Sequence, residues 1–143
     1  MKPLEILLPL IKESEGCSLK SYQCPAGIWT IGYGQTGPEV CKGLTWTQAN
    51  ADEHLANTAK TCLMQALHAS ATLSNESAGR QAAIADFIFN LGVGSYIKST
   101  LKLRVDQGNW MAAKTEIVKW NRANGKVLAG LTIRRNKEAA LMG

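Results

Sequence analysis

Residues 15–36 contain the closest grouping of side chains that could do chemistry. Glu15 follows an apolar segment and precedes Gly16, so its carboxyl is expected at the end of a helix. A carboxyl there can be partly desolvated and act as a general acid, although position alone fits a solvated helix-end glutamate more simply. The same segment also holds two thiols, Cys17 and Cys24, and a thiolate can in general act as a base or a nucleophile.

A helix before Glu15 and a small sheet after it must position these side chains. Residues 3–14 repeat apolar side chains at three- and four-residue steps, which is the spacing of one helix face. Pro25-Ala26-Gly27 is typical of a turn, and residues 28–33 are rich in β-branched and aromatic types, which predicts a strand. We therefore expect a small antiparallel sheet that is open to a ligand.

The rest of the chain has helical patterns. Thr45 and Gln48 have capping-box spacing, which predicts a long helix to about residue 69. Such a helix would be over about 30 Å long and could join two lobes. Four more helices are predicted: over 77–91, over 99–106, after a cap at Asn109, and over 132–141. Asn124-Gly125 is predicted to form a turn. This pattern predicts an α+β fold.

Composition and charge limit the class of protein. The chain has 143 residues, of which 45% are hydrophobic and 19% charged, as in soluble globular proteins rather than disordered ones. The net charge of +5 indicates an acidic partner surface, but no nucleic-acid-binding motif accompanies it, so we expect no nucleic-acid partner. No apolar run is long enough for stable membrane insertion, and no secretion signal is visible, which places the chain first in the cytosol.

Three ordered segments resemble a known family. The chain has Glu15-Gly16, a Tyr seven residues after the Glu, Cys24 nine residues after it, and then Thr-Ile-Gly-Tyr-Gly over residues 30–34. This spacing resembles the active-site signature of the phage lysozyme family, glycoside hydrolase family 24. Residues 89–101 and 120–138 are similar to that family's core-helix and C-terminal segments, so the resemblance covers nearly the whole chain.

The resemblance implies a catalytic triad of Glu15, Cys24 and Thr30. Glu15 would protonate the glycosidic oxygen, the second residue would work on the opposite side of the sugar, and Thr30 would position water or the other groups. The family most often has Asp at the second position, but Cys24 matches a sub-group of phage endolysins. The alternative is that Cys24 is a small apolar residue in a protein without catalysis.

The resemblance also suggests roles for residues around this triad. Some similar endolysins pair the cysteines that correspond to Cys17 and Cys24 in a disulfide that blocks the active site until thiol exchange frees it. Arg134 or Arg135 would support Glu15, and since adjacent helix positions point about 100° apart, we expect only one of them to face inward. Two further assignments are candidates: a structural disulfide between Cys41 and Cys62, and substrate binding by Tyr33 and Gln35, where Tyr33 could equally be a packing residue.

These observations together predict an endolysin. It would be a single lysozyme-like domain over residues 1–143, with a sheet lobe at about 15–45 and a helical lobe at about 70–143 that includes the N-terminal helix. It would hydrolyse the β-1,4 bond between N-acetylmuramic acid and N-acetylglucosamine in peptidoglycan, as a monomer without metal or cofactor. It would reside in the host cytoplasm before lysis, act in the periplasm or cell wall, and need a holin only indirectly. The alternatives are a lytic transglycosylase and a non-catalytic wall-binding module.

Overall fold

The computed structural model describes all residues from Met1 to Gly143 and is mostly helical, with two small antiparallel sheets. The α+β, lysozyme-like fold predicted from the sequence is confirmed. In chain order the elements are α1 Pro3–Glu15, β1 Ser18–Gln23, β2 Trp29–Gly32, α2 Gln48–Ala69, α3 Ala78–Leu91, α4 Val93–Ile97, α5 Thr100–Asp106, α6 Trp110–Ile117, β3 Arg122–Ala123, β4 Lys126–Val127 and α7 Ala129–Leu141. None of the helices is long and apolar enough to span a membrane.

The chain divides into two compact units. One is Leu8–Thr58, and the other combines Met1–Leu7 with Ala59–Gly143. Helix α2 contributes residues to both units. Most of α1 belongs to the unit that contains the first sheet, whereas the sequence had placed this helix with the helical lobe.

The unit Leu8–Thr58 is organised around one hairpin. Strands β1 and β2 pair antiparallel, with Tyr22 opposite Thr30, and the register is irregular on the Ser18 side of that pair. The apolar side chains of this unit that are buried lie on α1, on and just after β2, and on α2: Leu10, Ile11, Ile31, Tyr33, Val40, Ala51 and Leu55. Folding of this unit therefore removes apolar surface of α1, β2 and α2 from water.

The core of the other unit lies around α3. The sequence predicts an apolar stripe of Ile84, Phe87, Ile88 and Leu91 on this helix; the first three are buried, and Leu91 is partly buried against the same core. Trp110 is also buried, and the Trp120 ring meets Phe87 edge-on with ring centroids 5.3 Å apart. Such edge-to-face pairs add to the burial of apolar surface, so α3 anchors this core.

Helix starts agree with the sequence where a side chain caps the helix. Ser77, Ser99 and Asn109 accept hydrogen bonds from the backbone N–H three residues later and precede α3, α5 and α6. The capping box predicted at Thr45 is wrong, because the hydroxyl of Thr47 accepts from the N–H of Asn50 instead. Thr45 instead forms an isolated β-bridge with Lys20, and α2 begins at Gln48, two residues after the start that a Thr45 cap predicts.

Some elements were not predicted. The sequence analysis missed α4 and a 3-10 helix at Ala71–Asn75, both only five residues long. The predicted turn at Asn124-Gly125 closes a hairpin of β3 and β4, with φ of 51° and 77° at the two residues. Two positive φ values are the signature of a type I′ turn, which suits Asn-Gly. Helix α7 begins at Ala129, three residues before the predicted start.

Candidate active site

Glu15 is the last residue of α1, as the sequence predicted. Gly16 follows with a φ of +66°, which ends the helix in the conformation that glycine tolerates best. The loop after β2 passes close to the carboxylate, because a Cβ placed on Gly34 would lie 3.6 Å from Glu15 Oε2. Glycine at position 34, with a φ of +88°, therefore keeps the space beside this carboxylate free of a side chain.

Cys24 lies in the turn that joins β1 to β2. Its backbone N–H donates to the carbonyl of Ile28 at 2.9 Å, and its own carbonyl accepts from the N–H of Gly27 at 2.8 Å. Hydrogen bonds to the sulfur from the backbone of Ile28 and of Ala26, and from the hydroxyl of Thr30, hold the pKa of the thiol below its ordinary value. The turn therefore makes the thiol at the predicted catalytic position more acidic than an ordinary cysteine.

Thr30 is buried in β2 next to this turn. Its hydroxyl donates to the carbonyl of Ile28 at 3.0 Å and also lies within reach of the Cys24 sulfur. A hydroxyl has only one proton to donate, so the two acceptors compete for it. The structure thus brings Cys24 and Thr30 into contact, and it places both in the same compact unit as Glu15.

Tyr33 is only 6% exposed. Its hydroxyl donates to Asp52 Oδ1 at 3.3 Å and accepts from Gln48 Nε2 at 3.1 Å. Burial raises the pKa of this phenol. A ring enclosed in this way has no open face for a sugar, so the geometry supports the packing interpretation of Tyr33.

Gln35 is also held by the protein. Its side-chain Oε1 accepts from the hydroxyl of Thr58 on α2 at 3.2 Å. Its backbone N–H and carbonyl pair with Ile31 at 2.8 and 2.9 Å, which closes the tight turn after β2. These contacts fix the segment that carries Gly34, so Gln35 connects the loop beside Glu15 to α2.

Arg134 and Arg135 are both buried in α7, so the expectation that only one faces inward is wrong. Arg134 donates two hydrogen bonds to Asp86, at 2.9 and 2.8 Å. Arg135 forms an ion pair with Glu138 at 2.7 Å and donates to Asn90 at 2.9 Å. Buried charges need partners, and α3 and α7 supply one carboxylate for each arginine. Support of Glu15 by one of the two arginines stays a prediction.

The pKa values of the two carboxyls in this cluster are shifted in opposite directions. Burial alone would raise the pKa of Asp86, but the hydrogen bonds from Arg134 and Glu138 outweigh it and lower that pKa. Burial, together with the neighbouring Asp86, raises the pKa of Glu138 well above its ordinary value. Sequence reasoning missed both residues, although Asp86 stands out as a lone acid within the apolar stretch of α3.

All four cysteines are free thiols in this structure, so neither predicted disulfide is present. Cys17 and Cys41 are exposed, whereas Cys62 belongs to the apolar core around α3. Burial raises the pKa of Cys62 to about 11, which suits a small apolar core residue. No three His, Cys, Asp or Glu side chains gather in an arrangement that could hold a metal ion.

A family model described as phage lysozyme matches residues 12–138. The chain belongs to the phage lysozyme family. An endolysin of Acyrthosiphon pisum secondary endosymbiont phage 1 is 38% identical over 94% of this chain and 92% of its own length. A SAR-endolysin of bacteriophage PS119 is 30% identical over 87% of this chain and 73% of its own length.

A solved structure gives the same family likeness in three dimensions. The muramidase domain of SpmX from Asticaccaulis excentricus superposes with a TM-score of 0.86 and 29% identity, over 96% of this chain and 94% of that domain. The likeness therefore extends over both compact units of this phage lysozyme family member.

Proposed function

We propose that this chain is an endolysin that hydrolyses the β-1,4 bond between N-acetylmuramic acid and N-acetylglucosamine in bacterial peptidoglycan. The observation that carries this is the match of residues 12–138 to the phage lysozyme family. An endolysin relative that aligns over 92% of its length and a muramidase domain with the same fold support the same activity. The chain is accordingly a glycoside hydrolase that lyses peptidoglycan.

In the proposed reaction Glu15 donates a proton to the leaving glycosidic oxygen as the bond from that oxygen to the sugar's anomeric carbon breaks. Water adds to the anomeric carbon, and the Cys24 thiolate accepts the proton that this water loses. The backbone hydrogen bonds from Ile28 and Ala26 to its sulfur support Cys24 as the base, because they lower the pKa of its thiol. The hydroxyl of Thr30, next to the sulfur, would orient the water or the thiolate.

Replacement of Glu15 tests this assignment. The isosteric change Glu15→Gln removes the proton donor, so we expect the release of reducing sugars from purified peptidoglycan to fall by about 10²-fold or more. Glu5→Gln is the matched control, because Glu5 is an exposed glutamate in the first turn of the same helix. Full activity in Glu15→Gln would reject the catalytic role, and wall binding without sugar release by the native chain would favour a binding module.

The products distinguish hydrolysis from transglycosylation. Hydrolysis leaves a reducing N-acetylmuramic acid end, whereas attack by the muramyl 6-hydroxyl leaves an anhydro end. We expect reducing ends in a mass-spectrometric analysis of digested peptidoglycan. The reason is that the lowered pKa of Cys24 makes its thiolate available to take a proton from water. Anhydro-ended fragments as the main product would identify a lytic transglycosylase instead.

The proposal includes a place and a partner. The substrate is the peptidoglycan of the periplasm or cell wall, and a relative named a SAR-endolysin supports action outside the cytoplasmic membrane. We propose that the chain accumulates as a monomer in the host cytoplasm and reaches the wall when a holin opens the membrane. Fractionation of host cells before and after holin expression, with antibody detection of the chain, would test this sequence of events.

A further inference from the structure

A polar network outside the predicted triad joins three elements of the unit Leu8–Thr58. Asp52 Oδ1, on α2, accepts hydrogen bonds from Gln48 Nε2 at 2.9 Å and from the hydroxyl of Tyr33 at 3.3 Å. The ammonium of Lys12, on α1, lies 3.6 Å from the same oxygen and 5.9 Å from the centre of the Tyr33 ring. One carboxylate oxygen of Asp52 is therefore the meeting point of α1, α2 and the residue after β2.

Lys12 and Tyr33 connect this network to the surroundings of Glu15. Lys12 and Glu15 are three residues apart on α1, so their side chains lie on the same side of the helix. Tyr33 directly precedes Gly34, the residue whose Cβ would lie 3.6 Å from Glu15 Oε2. The groups that Asp52 holds are thus the helix turn that carries Glu15 and the loop that passes beside its carboxylate.

We propose that Asp52 is a positioning residue for Glu15, holding the last turn of α1 and the Tyr33–Gly34 loop in the arrangement needed for proton transfer. This inference rests on the catalytic role of Glu15 proposed above. Asp52 itself does not contact the reacting atoms in this scheme. It acts through Tyr33 and Lys12, since a general acid that is displaced by about 1 Å loses much of its effect.

The exposure of the network distinguishes positioning from stabilisation. The side chains of Lys12 and Asp52 are each 44% exposed, and ion pairs with this much solvent contribute little to folding. The hydrogen bond from Gln48, and after it the charge of Lys12, hold the pKa of Asp52 below its ordinary value, so this carboxyl is ionised near neutral pH. Loss of Asp52 should therefore change catalysis more than stability.

The experiment compares Asp52→Ala, Asp52→Asn and Glu53→Ala in the full chain. Initial rates on soluble, uncross-linked peptidoglycan strands give kcat and KM, and thermal unfolding gives Tm. We expect Asp52→Ala to lower kcat about tenfold with KM within about twofold of the native chain, at a temperature where every variant is folded. Asp52→Asn keeps an oxygen acceptor for Tyr33 and Gln48, so it should recover most of this kcat. Glu53, an exposed carboxylate at the next position, should be replaceable without effect.

The proposal is overturned if Asp52→Ala keeps kcat within about twofold of the native value, or if Asp52→Asn loses as much as Asp52→Ala. It is also overturned if Glu53→Ala shows the same loss, because a general effect of charge on α2 would then explain the result. Glu15→Gln, assayed in parallel, reports on the proposed function separately. Activity in Glu15→Gln rejects both ideas, whereas an inactive Glu15→Gln beside a normal Asp52→Ala rejects only the role of Asp52.

Discussion

Cys24 places a thiol where the family signature most often has an aspartate. A thiol is less acidic than a carboxyl, and the turn around Cys24 reduces that difference in acidity. An ordinary thiol is mostly protonated at neutral pH, with a pKa of about 8.5. The backbone hydrogen bonds of the turn at residues 24–28 lower this pKa, because they stabilise the negative sulfur. The local backbone therefore gives the thiol part of the acidity that a carboxylate has by itself.

The first prediction concerns the titration of this thiol. Because the pKa of Cys24 is lowered, its thiolate should persist to lower pH than that of an ordinary cysteine. We expect alkylation by iodoacetamide to reach half its maximum rate below about pH 8.5 in a Cys17→Ser/Cys41→Ser variant. Cys62 should not react there, since it is buried and its pKa is about 11. A half-maximum at or above the ordinary value would contradict the role of the turn.

The second prediction concerns the pH dependence of lysis. If Cys24 is the base, activity should fall on the acid side as its thiolate becomes protonated. Cys24→Asp should extend activity to lower pH, because an ordinary aspartate has a pKa of about 3.9. Cys24→Ser, which offers no comparable base, should lose about 10²-fold at every pH. Equal activity of the native chain and Cys24→Ser would show that water is activated without this residue.

At the scale of elements, the buried charges of α3 and α7 stabilise the pairing of these two helices. Asp86 on α3 holds Arg134 on α7 through two hydrogen bonds. Removing one member of such a pair leaves a buried charge without its counter-charge, which typically costs about 3–5 kcal/mol. Glu138 differs, since burial and the neighbouring Asp86 raise its pKa well above its ordinary value, so the folded chain penalises its charged form more than water does.

The third prediction compares two isosteric changes in this cluster. Asp86→Asn should lower the free energy of unfolding by about 3–5 kcal/mol in urea at neutral pH. Glu138→Gln should cost less, because burial disfavours the charged form of Glu138 and glutamine resembles its neutral form. The raised pKa of Glu138 gives stability that is full below its unfolded pKa and is lost as pH rises through its folded pKa. Glu138→Gln should therefore gain stability relative to the native chain as pH rises from about 4. Equal losses in the two variants would contradict this assignment.

The same elements show what the sequence can predict. Helices were found where apolar side chains repeat over ten or more residues and where Ser77, Ser99 or Asn109 caps the first turn. The start of α2 was misplaced because two threonines compete, and only the pairing of Thr45 with Lys20 decides between them. The five-residue α4 is too short for a periodic pattern to be recognised.

The candidate site was predictable only in part, for a similar reason. Glu15, Cys24 and Thr30 are recognisable because their spacing follows a local signature within 16 residues. Asp52 contacts Tyr33, Asp86 contacts Arg134, and Glu138 contacts Asp86. The two members of each pair are distant in sequence, so a local sequence pattern does not reveal these contacts. Arg134, for example, is buried against Asp86, which lies 48 residues away, and a single sequence does not show that contact.

At the scale of the whole molecule, the positive charge is concentrated near the C-terminus. The net charge is +5, and the exposed basic side chains of the last third include Lys119, Arg122, Lys126 and Lys137. Arg122 and Lys126 lie on the β3–β4 hairpin, beside the half-exposed Val127. Bacterial walls carry anionic groups, so a surface of this sign should raise the local concentration of substrate around the chain.

The fourth prediction concerns this surface. Lysis by the native chain should slow as salt rises from about 0.05 to 0.3 M, where charges beyond about 10 Å become screened. Arg122→Gln/Lys126→Gln changes the net charge from +5 to +3, and so does the control Lys2→Gln/Lys60→Gln, which removes exposed charges elsewhere.

If the position of the charge matters, the hairpin variant should have the lower kcat/KM at low salt and the weaker dependence on salt. Both differences should vanish at high salt, because salt screens the attraction between the basic hairpin of the native chain and the anionic wall. Equal losses in the two variants would mean that net charge alone attracts the wall. An unchanged kcat/KM in both variants would mean that short-range contacts alone determine substrate binding. The basic surface would then not contribute to attraction of the wall.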